Sequence, residues 1–140
     1  MTQRHMMEIV RDQNPVTLSP DHTVKEACER MRERRIGAVL VTDQDNHLVG
    51  IFTGRDAVCS VLAEGRDAAQ TRLAEVMTPD PDTIDPGRIA IDALRLMQDG
   101  GYRHVPITEG KRVVGIVSAG DFRGLETARL DEETDLWERI

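Results

Sequence analysis

The second half of this chain repeats the first. Thr17 matches Thr83 at a separation of 66 positions, and so do Pro20 with Pro86, Ala27 with Ala93, Met31 with Met97, Val39 with Val105 and Val41 with Ile107. Beyond the next turn the separation falls to 65, where Gly50 matches Gly115, Ile51 matches Ile116, Thr53 matches Ser118 and Asp56 matches Asp121. The second copy is therefore one residue shorter in a loop, the kind of place where a duplicated structure tolerates a deletion.

Each copy reads as a short extended segment (Val16 to Leu18; Thr83 to Asp85), a proline turn, a helix, two strands joined by a turn, and a second helix. Val24, Ala27, Cys28 and Met31 recur at i, i+3, i+4 and i+7, as do Ala90, Ala93, Leu94 and Met97, so one face of each first helix is expected to be buried. The strands are expected at Ala38 to Val41 with Leu48 to Phe52, and at Val105 to Ile107 with Val113 to Val117. Their turns fall at Asp43 to Asn46 and at Glu109 to Arg112. These strands show little alternation, which predicts cover on both faces of each small sheet. The expected fold class is α/β (α+β), with two tandem β-α-β-β-α motifs packed as a pseudo-twofold pair. The motifs span 9–66 and 73–125, and Leu125, Ala128 and Trp137 suggest an amphipathic helical tail over 126–140.

With 140 residues and 15.7 kDa there is room for one module. Aromatic residues are only 3%, so the core rests on Val, Ile, Leu, Met and Ala, and stacking platforms for single-stranded nucleic acid are not expected. A net charge of −7 is the wrong sign for a general nucleic-acid binder. The apolar runs fall far short of the roughly 20 residues that cross a bilayer, and MTQRHMMEIV lacks a signal-peptide core, so no membrane insertion and a cytoplasmic location are expected. Cys28 and Cys59 lie inside helical patterns and read as buried thiols. His5, His22 and His47 show no metal-ligand spacing with each other or with the cysteines, and no protein metal site is expected.

Two constellations carry chemistry. Thr53-Gly54-Arg55-Asp56 and its repeat from Ser118 to Asp121 place a hydroxyl and a carboxylate three residues apart where a strand turns into a helix. This is close to a capping box, which a duplication would preserve for folding alone. Equally, the hydroxyl suits a phosphate, and an ionised carboxylate, being acceptor-only, suits the two hydroxyls of a ribose. Arg55 is a cation on a first helical turn, an unfavourable local choice that hints at an anion. Arg103 and His104 follow the Gly100-Gly101 helix terminator, whereas the first copy has Gly37 and Ala38 there.

The GIFTGRD and GIVSAGD strand endings, the YRHVPI strand with its Pro106, and VMTPDPDTIDP echoed by IVRDQNPVTLSP form an ordered, duplicated set that resembles the tandem CBS-domain pair (cystathionine beta-synthase domain) over about residues 9 to 125. The resemblance implies two pseudo-symmetric clefts for adenosine-containing ligands such as AMP, ADP, ATP, NADH or S-adenosylmethionine, with Mg²⁺ arriving only alongside a polyphosphate. Its principal cleft would use Val16, Ile36, Gly37, Ala38, Arg103, His104, Ser118 and Asp121. Its second would use Thr53, Arg55, Asp56, Thr83 and Tyr102, with Asp82 in the place of the usual apolar adenine neighbour. The resemblance also implies a disc-like homodimer, with apolar candidates Ala57, Val58, Val61, Leu62, Phe122 and Leu125, and a non-enzymatic regulator of an unknown partner protein that senses energy or redox state. The alternative is an interaction scaffold with unoccupied clefts.

Overall fold

The computed structural model describes residues 4–122. In chain order its elements are α1 (Met6–Val10), β1 (Thr17–Leu18), α2 (Val24–Arg34), β2 (Ala38–Thr42), β3 (Leu48–Thr53) and α3 (Gly54–Asp56), the last continuing as a π-wound stretch over Ala57–Leu62. Then come α4 (Leu73–Val76), β4 (Thr78–Pro79), α5 (Ala90–Gly100), β5 (His104–Glu109), β6 (Arg112–Ser118) and a 3-10 turn, Ala119–Asp121. They form two compact units. Among the described residues the first-copy unit contains Asn14–Pro81 with Gly110–Val113, and the second-copy unit contains Asp82–Glu109 with residues 114–122 and 4–13.

In the first-copy unit the sheet order is β1-β2-β3-β4, with β1 parallel to β2 through Thr17↔Leu40 and Leu18↔Val41 and the other pairs antiparallel. Its core is Leu18, Val24, Ala27, Val39, Val41, Phe52, Val61, Leu73 and Val76, with Cys28 and Met31 half-buried against it. The α2 helix begins where the Thr23 hydroxyl accepts the Glu26 amide at 3.1 Å, a cap worth about 0.5–2 kcal/mol. It stops at Arg35, which is left-handed at φ 54°.

The second-copy unit repeats this plan. Ala90, Ala93, Leu94 and Met97 are buried on α5, which ends at the left-handed Gly101. The parallel bridge Ile84↔Ile107 stands 66 positions after Leu18↔Val41. Every residue of β2 is buried, but β6 alternates: Val113, Gly115 and Val117 are buried while Val114 and Ile116 are half-buried. On β6 the Val-Gly-Val face is fully buried and the opposite face is half-covered, with Val114 packed against the core.

The short helices that precede the copies are exchanged between them. In the first-copy unit, Leu73 and Ala74 of α4 donate to the carbonyls of His22 and Pro20, and Val24 donates to Thr71. In the second-copy unit, Met6 and Met7 of α1 donate to the carbonyls of Arg88 and Pro86, and Ala90 donates to Arg4. Each helix fills the core of its host with a fully buried side chain, Leu73 in one and Met6 in the other, whose truncation to Ala would cost about 2–5 kcal/mol. This explains the glycine that opens both GI motifs. A Cβ on Gly50 would strike Met77, and one on Gly115 would strike Val10 and Gln13, the segments that close each exchanged lead-in.

Candidate ligand-binding residues

In each unit one backbone bond ties the residue before the second strand to the turn after the third. The Gly54 amide donates to the Gly37 carbonyl at 3.1 Å, and the Ala119 amide donates to the Arg103 carbonyl at 3.0 Å. Gly37 and Arg103 thus hold equivalent positions, each fixed beside the hydroxyl and carboxylate of its own copy.

In the first-copy unit, Ala38 pairs with Thr53 across β2 and β3, and the Val16 carbonyl accepts the Leu40 amide at 3.1 Å. The Thr53 amide donates to Asp56 Oδ2 at 3.0 Å, and the Asp56 amide donates to Thr53 Oγ1 at 3.2 Å. The Thr78 hydroxyl adds a 3.3 Å bond to the Asp56 carboxylate, a partner the sequence does not announce. Ile36, Gly37 and Arg55 are exposed, Val16 is half-buried, and Ala38 is buried, so Ala38 can offer a ligand little beyond its backbone. Among the described residues no carboxylate lies within ion-pair distance of Arg55.

In the second-copy unit, Asp121 Oδ2 accepts the Ser118 amide at 2.7 Å and the Ser118 hydroxyl at 3.3 Å. The Arg4 guanidinium donates to the Asp121 carbonyl at 3.1 Å, bringing the N-terminal segment onto the same turn. Burial, helped by the Arg103 charge and opposed by Asp121, holds the half-buried His104 imidazole below its ordinary pKa. Arg103 and Thr83 are exposed, and no described carboxylate pairs with Arg103. The Tyr102 hydroxyl donates to Asp82 Oδ2 at 2.6 Å. Burial first and that bond second raise its pKa.

Both carboxylates therefore act in caps. Each also keeps acceptor capacity, since an ionised carboxylate offers about four lone-pair sites. Asp121 has the Ser118 hydroxyl on its carboxylate and the His104 imidazole within reach of its charge, and the exposed Arg103 is tied to the same turn by its backbone; together these residues can accept from a diol and donate to an anion.

The structure also places the two cysteines, the apolar residues offered for a dimer, and His47. Cys28 is half-buried with its thiol pKa raised by burial, but Cys59 is exposed, because the face of the π-wound stretch that points inward is carried by Val61. Of the apolar set offered for a dimer, Val61 belongs to the core and Ala57 and Phe122 pack against cores. Val58 and Leu62 stand 56% and 71% exposed, and Leu125 lies outside the described residues. Asp43, Asp45 and His47 bring ligand atoms within 4.8 Å of one another, and Asp43 Oδ1 accepts the Asp45 and His47 amides, capping its own turn. Those bonds hold its pKa low.

The sequence pattern of the CBS domain matches residues 7–62 and 73–126. The chain belongs to the CBS domain family. Among its curated relatives, CBS domain-containing protein YhcV of Bacillus subtilis is 37% identical over 105 residues, covering 75% of this chain and 74% of YhcV. CBSCBSPB2 of Arabidopsis thaliana is 38% identical over 102 residues, 73% of this chain, but this CBS pair spans only 19% of that protein's length. The solved CBS domain protein PAE2072 from Pyrobaculum aerophilum, complexed with AMP, superposes with a TM-score of 0.82 over 92% of this chain and 99% of its own. At 21% identity it shares the fold. Among the described residues no helix is long and apolar enough to cross a membrane.

Proposed function

We propose that this CBS pair is a regulatory, non-catalytic module that binds an adenine nucleotide and passes its occupancy to a partner protein. The observation that carries this reading is the joining of Arg103 and His104, at the start of β5, to the turn that carries Ser118 and Asp121. The grouping offers a cation without a described carboxylate partner, a neutral half-buried imidazole and a carboxylate with spare acceptor sites. In this reading Asp121 takes the ribose hydroxyls, Arg103, His104 and Ser118 face phosphate, and Val16, Ile36, Gly37 and Ala38 serve the adenine. Thr53, Arg55, Asp56, Thr83 and Tyr102 serve a second ligand. The AMP held by PAE2072 supports the choice of an adenosine ligand on this fold.

The test is a thermal-shift screen of AMP, ADP, ATP, S-adenosylmethionine and NADH, with product analysis after incubation. A ligand that binds only the folded state stabilises it by about 2.7 kcal/mol at a hundredfold excess over Kd. The expected result is a shift with at least one nucleotide and no turnover. No shift with any of them at millimolar concentration favours the scaffold reading, to which the caps at Thr53 and Ser118 would then belong entirely.

The same reading takes the working form to be a homodimer using the exposed Val58 and Leu62. Sedimentation that finds only a 15.7 kDa species at micromolar concentration overturns that assembly.

A further inference from the structure

The duplication makes the two copies comparable position by position, and at one pair of positions they differ in chemistry. Val16 lies two residues before Leu18 of the Leu18↔Val41 bridge, and Asp82 lies two residues before Ile84 of the Ile84↔Ile107 bridge. The Ile36 amide donates to Met31 at 3.0 Å, and the Tyr102 amide donates to Met97 at 3.2 Å. Where the first copy presents Val16 and Ile36, the second therefore presents Asp82 and Tyr102.

The replacement is a built pair. The Tyr102 hydroxyl donates to Asp82 Oδ2 at 2.6 Å. The ring fits only because residue 100 is glycine, since any Cβ there would overlap it; the first copy carries Arg34 at the matching place. Burial and Asp82 keep the phenol protonated, so it stays a donor and fixes the carboxylate. Asp82 is exposed, and among the described residues it has no cation within ion-pair distance. One of its lone pairs is used by Tyr102 and the others are open.

A fixed carboxylate asks its ligand for N–H donors. The edge of adenine sets the N6 amine beside the N1 acceptor, so a carboxylate gains one hydrogen bond and meets one repulsive lone pair. Guanine sets N1–H beside the N2 amine, two parallel donors spaced for two carboxylate oxygens. A wall of Val16 and Ile36 makes no such demand. We infer that Asp82, held by Tyr102, is a base-selecting element that makes the ligand site containing it prefer guanine over adenine. This deepens the nucleotide-binding reading and rests on it: the proposed site with Val16 and Ile36 would report on adenine nucleotides and the one with Asp82 and Tyr102 on guanine nucleotides.

The experiment is calorimetry with GMP and AMP on the full chain, on Asp121→Ala to remove the proposed adenine site, and on Asp82→Asn, Asp82→Val and Tyr102→Phe. In Asp121→Ala, GMP should bind at least tenfold more tightly than AMP. Combined with Asp121→Ala, Asp82→Val should weaken GMP tenfold or more and leave AMP unchanged or improved. Asparagine offers one donor and one acceptor and so matches adenine, so Asp82→Asn should move the GMP-to-AMP preference toward AMP. Tyr102→Phe should lower GMP affinity less than Asp82→Val does. A pair that served only to brace the strand would alter stability in these variants and leave the ratio of the two ligands unmoved, which overturns the inference. AMP binding with no GMP preference in Asp121→Ala also overturns it while sparing the adenine reading, whereas no binding of either nucleotide to the wild type defeats both.

Discussion

Arg103 is fastened to Ala119: its carbonyl accepts the Ala119 amide at 3.0 Å, which holds a guanidinium-bearing residue on the turn that carries Asp121. The equivalent bond in the first copy joins Gly54 to Gly37, where there is no side chain at all. A backbone clamp that serves folding in both copies thus positions a cation in only one.

Arg103→Ala keeps that clamp, because the bond is made by the carbonyl, and removes the cation. Hydrogen bonds to charged groups are worth about 1.5–3 kcal/mol, so AMP should bind roughly tenfold to a hundredfold more weakly. Adenosine, which lacks the phosphate, should be unaffected. Calorimetry with the two ligands checks this, and an equal loss for adenosine would assign Arg103 a purely structural role.

The two carboxylates should also contribute unequally. Asp121→Ala should remove the higher-affinity binding event, with a loss of roughly tenfold to a hundredfold, and Asp56→Ala a weaker one. Each substitution also deletes a cap bond, to Ser118 or Thr53, at a stability cost of about 0.5–2 kcal/mol. Asparagine at either position retains an acceptor for that amide, so Asp121→Asn and Asp56→Asn separate cap from ligand. Calorimetry that finds the tight event intact in Asp121→Ala and gone in Asp56→Ala would reverse the assignment of the principal site.

The repeat was legible because it is written in side chains: Thr53 with Asp56 and Ser118 with Asp121 are the same device, and α2 and α5 turn the same periodic positions toward their cores, Cys28 and Met31 less deeply than Leu94 and Met97. The exchange of lead-in helices was not legible. A helix of four or five residues such as Leu73–Val76 carries no periodicity that says which core receives it, and only Gly50 and Gly115 hint that something presses on those strands. The exposure of Cys59 was hidden for a related reason, since the π-wound stretch from Ala57 shifts which residues face inward. Asp82 stood out in sequence as a departure at an apolar position, but its bond to Tyr102 joins residues 20 apart through a tertiary contact that spacing does not encode.

Arg35 closes α2 in the left-handed region at φ 54°, where its counterpart Gly101 sits at φ 72° without steric penalty. The left-handed conformation costs a residue with a Cβ roughly 1–2 kcal/mol. Glycine returns about 0.4–1 kcal/mol of that through its freer unfolded chain. Arg35→Gly should therefore stabilise the protein by roughly 0.5–1 kcal/mol and raise its melting temperature by a few degrees, while Gly101→Arg should do the opposite. Calorimetric melting of both variants decides it, and a drop for Arg35→Gly would mean that the Arg35 side chain makes a stabilising contact that outweighs the strain.

His104 makes stability depend on pH in a direction fixed by its surroundings. Burial lowers its pKa in the folded protein, the Arg103 charge adds to this, and Asp121 only partly offsets it. In the unfolded chain the imidazole titrates near its ordinary value of about 6.5. Above that pH both states hold the ring neutral and its contribution is complete. As pH falls below it, the unfolded chain takes up a proton before the folded protein does, so stability is lost down to the folded pKa. The slope stays below the ~1.4 kcal/mol per pH unit that one full proton would give, because the ring is only half-buried. Melting curves between pH 7.5 and pH 5 should show this loss in the wild type and a smaller one in His104→Gln. If a phosphate is held beside the ring, saturating AMP should pull the pKa back up and flatten the wild-type curve toward that of the variant. An acid-side loss that is identical in His104→Gln, or that AMP leaves untouched while stabilising the protein, would place the titrating group, or the phosphate, elsewhere.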